Sequence, residues 1–229
     1  MRRKLGFVVL ALGLCIVGWV GVTLKWGDPF TSLYTAHKQS VLSGQLAKER
    51  SVWTQSSTRL TSKETRKAVD VAQVLKARAA IFGRNLKDGQ PIGRILIPKI
   101  GLNMVVVEGT SEGDLMKGPG HYNAASGVAT SLPGAGGVVA IAGHRTTFLH
   151  PFRYVDQLRP GDNVYLEMPY GTLRYRVYYQ KIVTATDWSI LNKRPYEKLV
   201  LSACHPLYSA SHRIVTFARL VGEATQSSL

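Results

Sequence analysis

From Leu5 to Leu24 the chain reads "LGFVVLALGLCIVGWVGVTL", apolar throughout and without a charge. As a helix rising about 1.5 Å per residue, that stretch matches a hydrocarbon core of about 30 Å. A polar, Ser/Thr-rich segment follows from Thr31 to Leu60, carrying Lys38, Lys48, Arg50 and Arg59. Between Lys63 and Phe82, "KETRKAVDVAQVLKARAAIF", helix formers and apolar residues recur at loosely helical spacing. After Ile92 the texture changes. Short apolar runs succeed one another: "IGRILIPKIGLNMVVVEG" (92–109, broken by Pro98 and Gly101), "GGVVAIAG" (136–143), "DNVYLEM" (162–168), "TLRYRVYYQKIVTATD" (172–187), "KLVLSAC" (198–204) and "RIVTFARLVG" (213–222). They are rich in Val, Ile and Tyr and bounded by Gly, Pro, Asn and Asp, which predicts strands and turns. "LRYRVYY" alternates as a half-buried strand does, "MPYGTL" predicts a hairpin turn, and "LRPGDNV" a tight turn entering a strand. Seven or eight strands with one or two short helical connections predict an all-β closed barrel or sandwich.

Three segments result: a cytoplasmic tip and transmembrane anchor over 1–25, a basic, partly helical extracellular stalk over 26–90, and a β domain over 91–229. The total of 229 residues suits one ordinary domain with an appendage. Arg2, Arg3 and Lys4 precede the apolar segment, which holds the N-terminus in the cytoplasm and the β domain outside. A cleaved signal peptide has a shorter apolar core and small residues at its cleavage site, whereas this segment ends in the bulky "VTLKWG". It is therefore expected to stay as an anchor.

That topology gives the charge a meaning. Twenty-nine Lys and Arg against 14 Asp and Glu leave a net charge of +15. On an extracellular stalk the natural partners are anionic lipid headgroups or wall polymers, and a merely solvated charged helix fits the same pattern. Nucleic acid is not expected, since no aromatic-basic binding motif occurs. The two cysteines, Cys15 and Cys204, lie far apart, which argues against a disulfide framework and against a thiolate metal site. Neither a metal nor a cofactor is expected.

Cys204 carries the candidate chemistry. It ends the run "KLVLSAC", and Arg213 begins the next run after "HPLYSASH". If these strands pair antiparallel, both side chains stand at one end of the hairpin. His144, at the end of "GGVVAIAGH", can join them at the same rim. An unperturbed thiol is only about 3% ionised at neutral pH, and a neighbouring imidazole or guanidinium raises that fraction. The imidazole can protonate a leaving amine, and the guanidinium can stabilise an oxyanion. The trio suits acyl transfer through a thioester. Residue types alone leave a second reading open, in which Cys204 is a small buried hydrophobe, His144 is structural and Arg213 is a solvated cation.

The motifs "IPKIGL", "GPGHY", "LPGAGG", "IAGHRTTFLHPF", "LRPGD" and "SACHPLYSASHR", in that order, resemble those of sortases, the membrane-anchored cysteine transpeptidases of Gram-positive bacteria. The resemblance covers roughly residues 90–222, and the Cys-His-Pro run with Arg nine residues after the Cys is most similar to class E. It implies an eight-stranded sortase barrel, with Cys204 as nucleophile, His144 as the family His and Arg213 as the residue that holds substrate and oxyanion. The implied reaction cleaves a C-terminal LPXTG- or LAXTG-like sorting signal on surface proteins. The acyl group then passes to a wall-precursor amine such as that of lipid II. A pilus polymerase with a Lys acceptor and a non-catalytic surface-binding barrel are the alternatives. A papain-like protease is disfavoured because here the His precedes the Cys.

Some positions depart from the family pattern. Ala203 stands where sortases usually have Thr before the Cys, and His212 has no assigned role. "DPF" at 28–30 echoes the lid of class C sortases but is expected to lie too early in the chain to reach the site. His121 is expected to be structural, and His205 to face the opposite side of its strand. Glu108, Glu112 and Asp114 fit no calcium motif.

Overall fold

A computed structural model of the chain describes residues 2–26, 29–61 and 71–224. Helices α1 (Arg2–Trp26), α2 (Pro29–Thr61) and α3 (Val71–Gly83) precede the β domain. Its strands are β1 (Pro91–Ile97), β2 (Leu102–Glu108), β3 (Gly120–His121), β4 (Val138–Ala142), β5 (Asn163–Met168), β6 (Gly171–Thr184), β7 (Lys198–His205) and β8 (His212–Glu223). A one-turn helix, α4 (Glu112–Leu115), sits between β2 and β3.

The strands close in the order β1-β2-β3-β4-β7-β8-β6-β5, and β5 pairs back onto β1. All neighbours are antiparallel except β2–β3 and β4–β7. Alternation sorts the side chains. Val139 and Ile141 of β4, Leu199, Leu201 and Ala203 of β7, and Ile214 and Ala218 of β8 fill the interior. Val138, Ala140, Val200, Val215 and Phe217 point the other way, into a second apolar cluster with Val183 and Ile190. Both faces of this part of the sheet are covered. That is why β4 reads as an unbroken apolar run rather than an alternating one. In β6 the register shifts between Val177 and Tyr179. Before the shift Leu173, Tyr175 and Val177 face inward; after it Val183 faces the outer cluster, as an inserted residue requires.

The expected runs appear as strands at nearly their expected bounds. The two-residue β3 was not predicted, because nothing in "GPGHY" has a strand period. Its side chain His121 is buried, with Nδ1 2.9 Å from Glu108 Oε2 and Nε2 3.1 Å from both Ser131 O and Thr130 Oγ1. This is the structural role expected of His121.

The segment expected as a stalk contains two helices that lie on the barrel. Thr35, Gln39, Leu42 and Leu46 form one face of α2. Leu42 and Leu46 pack on Val105 and Val107 of β2. The Gln39 amide accepts from Val105 N at 2.7 Å and donates to Val105 O at 3.0 Å and Lys117 O at 2.8 Å. Two of the four inward positions are therefore polar, which hides the helical period in a stretch that looks merely Ser/Thr-rich. Leu75 and Ala79 of α3 enter the barrel core, and Trp53, Phe82 and Tyr170 stack over that end with ring centroids 5.5–6.3 Å apart. Arg50 pairs with Glu167 at 3.2 Å. Residues 62–70, which include part of the helix expected over 63–82, lie outside the described residues.

In α1 the apolar side chains face away from the barrel: Phe7 is 73% exposed and Val17 69%. Among the described residues no helix is long and apolar enough to cross a membrane.

One buried carboxylate organises the loop before β4. Glu197 accepts from Gly134 N at 2.9 Å, from Gly136 N at 2.7 Å, and from the Tyr175 hydroxyl. Gly134 and Gly136 have φ of +85° and +82°, which aims their amides at the anion at little cost for residues lacking a Cβ. Burial, together with the Glu197 charge, pushes the Tyr175 hydroxyl well above its ordinary pKa. Glu197→Ala leaves two amides and a hydroxyl unpaired in the interior. Chemical denaturation of the full chain in detergent is expected to show a loss of about 3 kcal/mol or more, partly restored in Glu197→Gln.

Candidate active site

β7 and β8 pair antiparallel with Cys204 directly opposite Arg213 and His205 opposite His212. On the other side β7 runs parallel to β4, and Ala142 is the register partner of Ser202. Gly143 N donates to Ser202 O at 3.1 Å, so the ladder continues past the end of β4. His144 follows at the level of Cys204. Sequence reasoning placed these three residues on one rim, and the ladder brings them there. All three share the face of Val200 and Val215, outside the barrel interior. Cys204 is a free, half-buried thiol.

Each side chain is held by its surroundings. Gly143 has no room for a Cβ, which would lie 2.7 Å from the ring of the fully buried Phe152. Phe152 N in turn donates to His144 O at 2.9 Å. The Phe148 ring lies 5.1 Å from the imidazole of His144. His144 Nε2 is buried with no hydrogen-bond partner among the described residues, so it is open to a reacting proton. Burial pushes the His144 pKa below its ordinary value, and the Glu112 carboxylate of α4 opposes that shift. Arg213 Nη1 donates to Ala210 O and His212 O, both at 2.9 Å, which steadies the β7–β8 turn.

Three neighbours were not found from the sequence. Arg145, only 3% exposed, reaches Cys204 O and His205 Nδ1 at 3.4 Å, Arg153 O at 3.1 Å and Asp156 Oδ2 at 3.1 Å. It ties the strand end bearing the thiol to the loop after His144. The contact also places His205 with Arg145, away from the thiol's face, as expected. Tyr122 stands on the thiol's side. Burial raises its hydroxyl pKa, a hydrogen bond to Ser202 and the Arg213 charge lower it, and Cys204 is close enough to act on it. Glu112 is the third. The signal for Arg145 and Tyr122 was adjacency to His144 and to "GPGH", while Glu112 stood out only as one of three acids that fit no calcium motif.

Of the acids weighed for calcium, the other two are engaged elsewhere. Glu108 pairs with His121, and Asp114 lies 3.1 Å from Lys117 Nζ. Among the described residues no group of His, Cys, Asp and Glu is arranged to hold a metal. Asp28 of the "DPF" stretch lies outside the described residues. The first turn of the helix that follows lies beside the loop after His144, where Phe148 N donates to Thr31 Oγ1 at 3.2 Å.

The Sortase domain family matches residues 95–221. Sortase D of Bacillus subtilis is 30% identical over 207 residues, 90% of this chain and 90% of its own. The chain belongs to the sortase family. Streptomyces coelicolor SrtE1 is 30% identical over 155 residues, covering 62% of this chain and 44% of that protein. The crystal structure of that organism's sortase E1, solved with a tripeptide in the active site, superposes with a TM-score of 0.57 at 30% identity and covers 61% of this chain and 93% of that one. A Clostridium perfringens sortase D5 transpeptidase superposes with a TM-score of 0.55 at 25% identity over 66% of this chain and 89% of its own. Sortases are cysteine transpeptidases, and this one has the closed eight-stranded barrel of the family.

The opposed influences on His144 make a directional expectation. Removing the Glu112 carboxylate takes away the force that favours the imidazolium, leaving burial to act alone. In Glu112→Gln the His144 titration midpoint, followed by NMR of the ring Cε1 proton, is expected at lower pH than in the unaltered enzyme. An unchanged or higher midpoint would remove Glu112 from the site.

Proposed function

We propose that this sortase is a membrane-anchored, extracellular transpeptidase that attaches surface proteins to a wall-precursor amine, with Cys204, His144 and Arg213 as its catalytic residues. The observation that carries the reading is the ladder itself, with Cys204 opposite Arg213 and His144 continuing β4 beside Cys204.

The Cys204 thiolate attacks the Thr carbonyl of the Thr–Gly bond in a C-terminal LPXTG- or LAXTG-like signal. Negative charge gathers on the carbonyl oxygen, where the Arg213 guanidinium offers fixed donors. The His144 imidazolium gives its proton to the departing Gly amine, and a thioester remains. An incoming amine then attacks the thioester, His144 takes a proton from it, and Cys204 leaves as the thiolate. Burial works against the imidazolium form of His144, and the Glu112 carboxylate works for it.

Anchoring rests on the uncharged stretch from Leu5 to Leu24, the three cations before it and the outward-facing side chains of α1. Wall precursors are themselves lipid-borne, so an anchored enzyme would meet them at the surface. As to class, the class E resemblance rests on the motif around Cys204. The match to sortase D, equal in identity, reaches across more of the chain.

Cys204→Ala is expected to abolish both acyl-enzyme and product when the enzyme is incubated with LPXTG and LAXTG peptides plus an amine and analysed by mass spectrometry. Turnover by that variant would refute the nucleophile. Arg213→Lys is expected to lower kcat by roughly two orders of magnitude, because an ammonium cannot reproduce the guanidinium's planar set of donors.

A further inference from the structure

The loop that begins at His144 contains an unusual backbone. Phe148, Leu149 and His150 have φ of 52°, 59° and 36°, three consecutive residues with side chains in left-handed conformation. Such residues are disfavoured by their Cβ atoms and persist only where the surroundings hold them. The two ends of the loop are well held. Phe152 N bonds to His144 O, Phe152 fills the space against Gly143, and Arg145 reaches Arg153 O. Within it, His150 N donates to Thr147 O at 2.8 Å, and Leu149 packs against the barrel core.

The remaining hold on the left-handed stretch comes from another part of the chain. Thr31, in the first turn of α2, accepts the Phe148 amide through Oγ1 at 3.2 Å. Phe148 is also the residue whose ring lies 5.1 Å from that of His144. Thr31 is itself braced. Thr35, fully buried, donates through Oγ1 to Thr31 O at 2.9 Å and to Met116 O at 2.7 Å, and Gln39 locks the next turn onto β2. Immediately before this turn stands the apolar helix, whose Trp19 ring lies 5.7 Å from that of Phe30. A continuous path of contacts thus runs from the end of α1 through Thr31 and Phe148 to the imidazole.

We infer that the first turn of α2 is a positioning element for His144, in which Thr31 fixes the Phe148 backbone so that the Phe148 ring braces the imidazole. This rests on the reading of His144 as the acid–base group. Thr31 acts through the Phe148 backbone and so through the ring beside the imidazole, which directs the effect of its loss to proton transfer. The same arrangement makes the orientation of the imidazole depend on how the N-terminal helices are seated on the barrel.

The test uses the full chain in lipid nanodiscs with histidine ring labelling, comparing the unaltered enzyme with Thr31→Val, Thr31→Ser and Cys204→Ala. Thr31→Val keeps the shape but removes the acceptor. The expected result is a shifted or broadened His144 ring resonance, kcat lower by about five- to tenfold and KM unchanged, as for loss of one hydrogen bond of ordinary net strength. Thr31→Ser is expected to restore both readouts, and thermal melts should show Thr31→Val still cooperatively folded. His144 resonances unaltered in Thr31→Val, or kcat within about twofold of the unaltered enzyme, would overturn the inference, as would a loss of activity unaccompanied by a change at His144. Activity retained by Cys204→Ala would count against the transpeptidase reading instead, and the resonances would still decide the clamp.

Discussion

The position of β7 between β4 and β8 constrains everything else at the rim. Hydrogen bonded on both edges and covered on both faces, this strand cannot shift its register without sending Leu199, Leu201 and Ala203 out of the core. A slip of one residue would bury the Cys204 thiol in the barrel and turn His205 toward the site. The apolar packing of alternate β7 residues therefore selects Cys204 rather than His205 for the outer face. Arg213 inherits its place from the same ladder, and His144 from the parallel pairing on the other edge.

Around that frame, buried polar groups are paired in ways that hold loops rather than strands. Glu197 gathers the amides of the Gly-rich loop before β4, His121 and Glu108 lock β3, and Arg145 binds the end of β7 to the segment after His144. Lys198 Nζ donates to Ile190 O at 2.8 Å and pins the β6–β7 connection over the outer apolar cluster; burial lowers its pKa to about 8. Each of these groups would be costly to leave unpaired. The rim that carries Cys204, Arg213 and His144 is thus surrounded by loops whose geometry is over-determined, and among the described residues the buried His144 Nε2 has no hydrogen-bond partner.

The helices before the barrel change the meaning of the N-terminal segment. A basic, Ser/Thr-rich stretch with scattered leucines could be a solvated tether. Packed as α2, it uses Gln39 as a substitute strand partner on the outside of β2 and delivers Thr31 to the loop after His144. Its inward face mixes hydrogen-bonding residues with leucines, and such a face leaves little trace in hydrophobic period. Trp53 and Phe82 then close the end of the barrel together with Tyr170.

The sequence by itself was enough for the all-β class, for seven of the eight strands, and for setting Cys204, His144 and Arg213 at strand ends, because strand period, turn residues and strand-end placement are local properties of the chain. It also showed the apolar segment from Leu5 to Leu24. Tertiary structure alone decided which face of β7 carries the thiol, that Arg145 is buried, that β3 exists as two residues between β2 and β4, that β6 changes phase at its bulge, and that α2 lies against the barrel. These depend on contacts between segments far apart in the chain: Thr31 and Phe148, Gln39 and Val105, Glu197 and Gly134. No local pattern encodes a partner 63 to 117 residues away; only the closed barrel brings them within bonding distance.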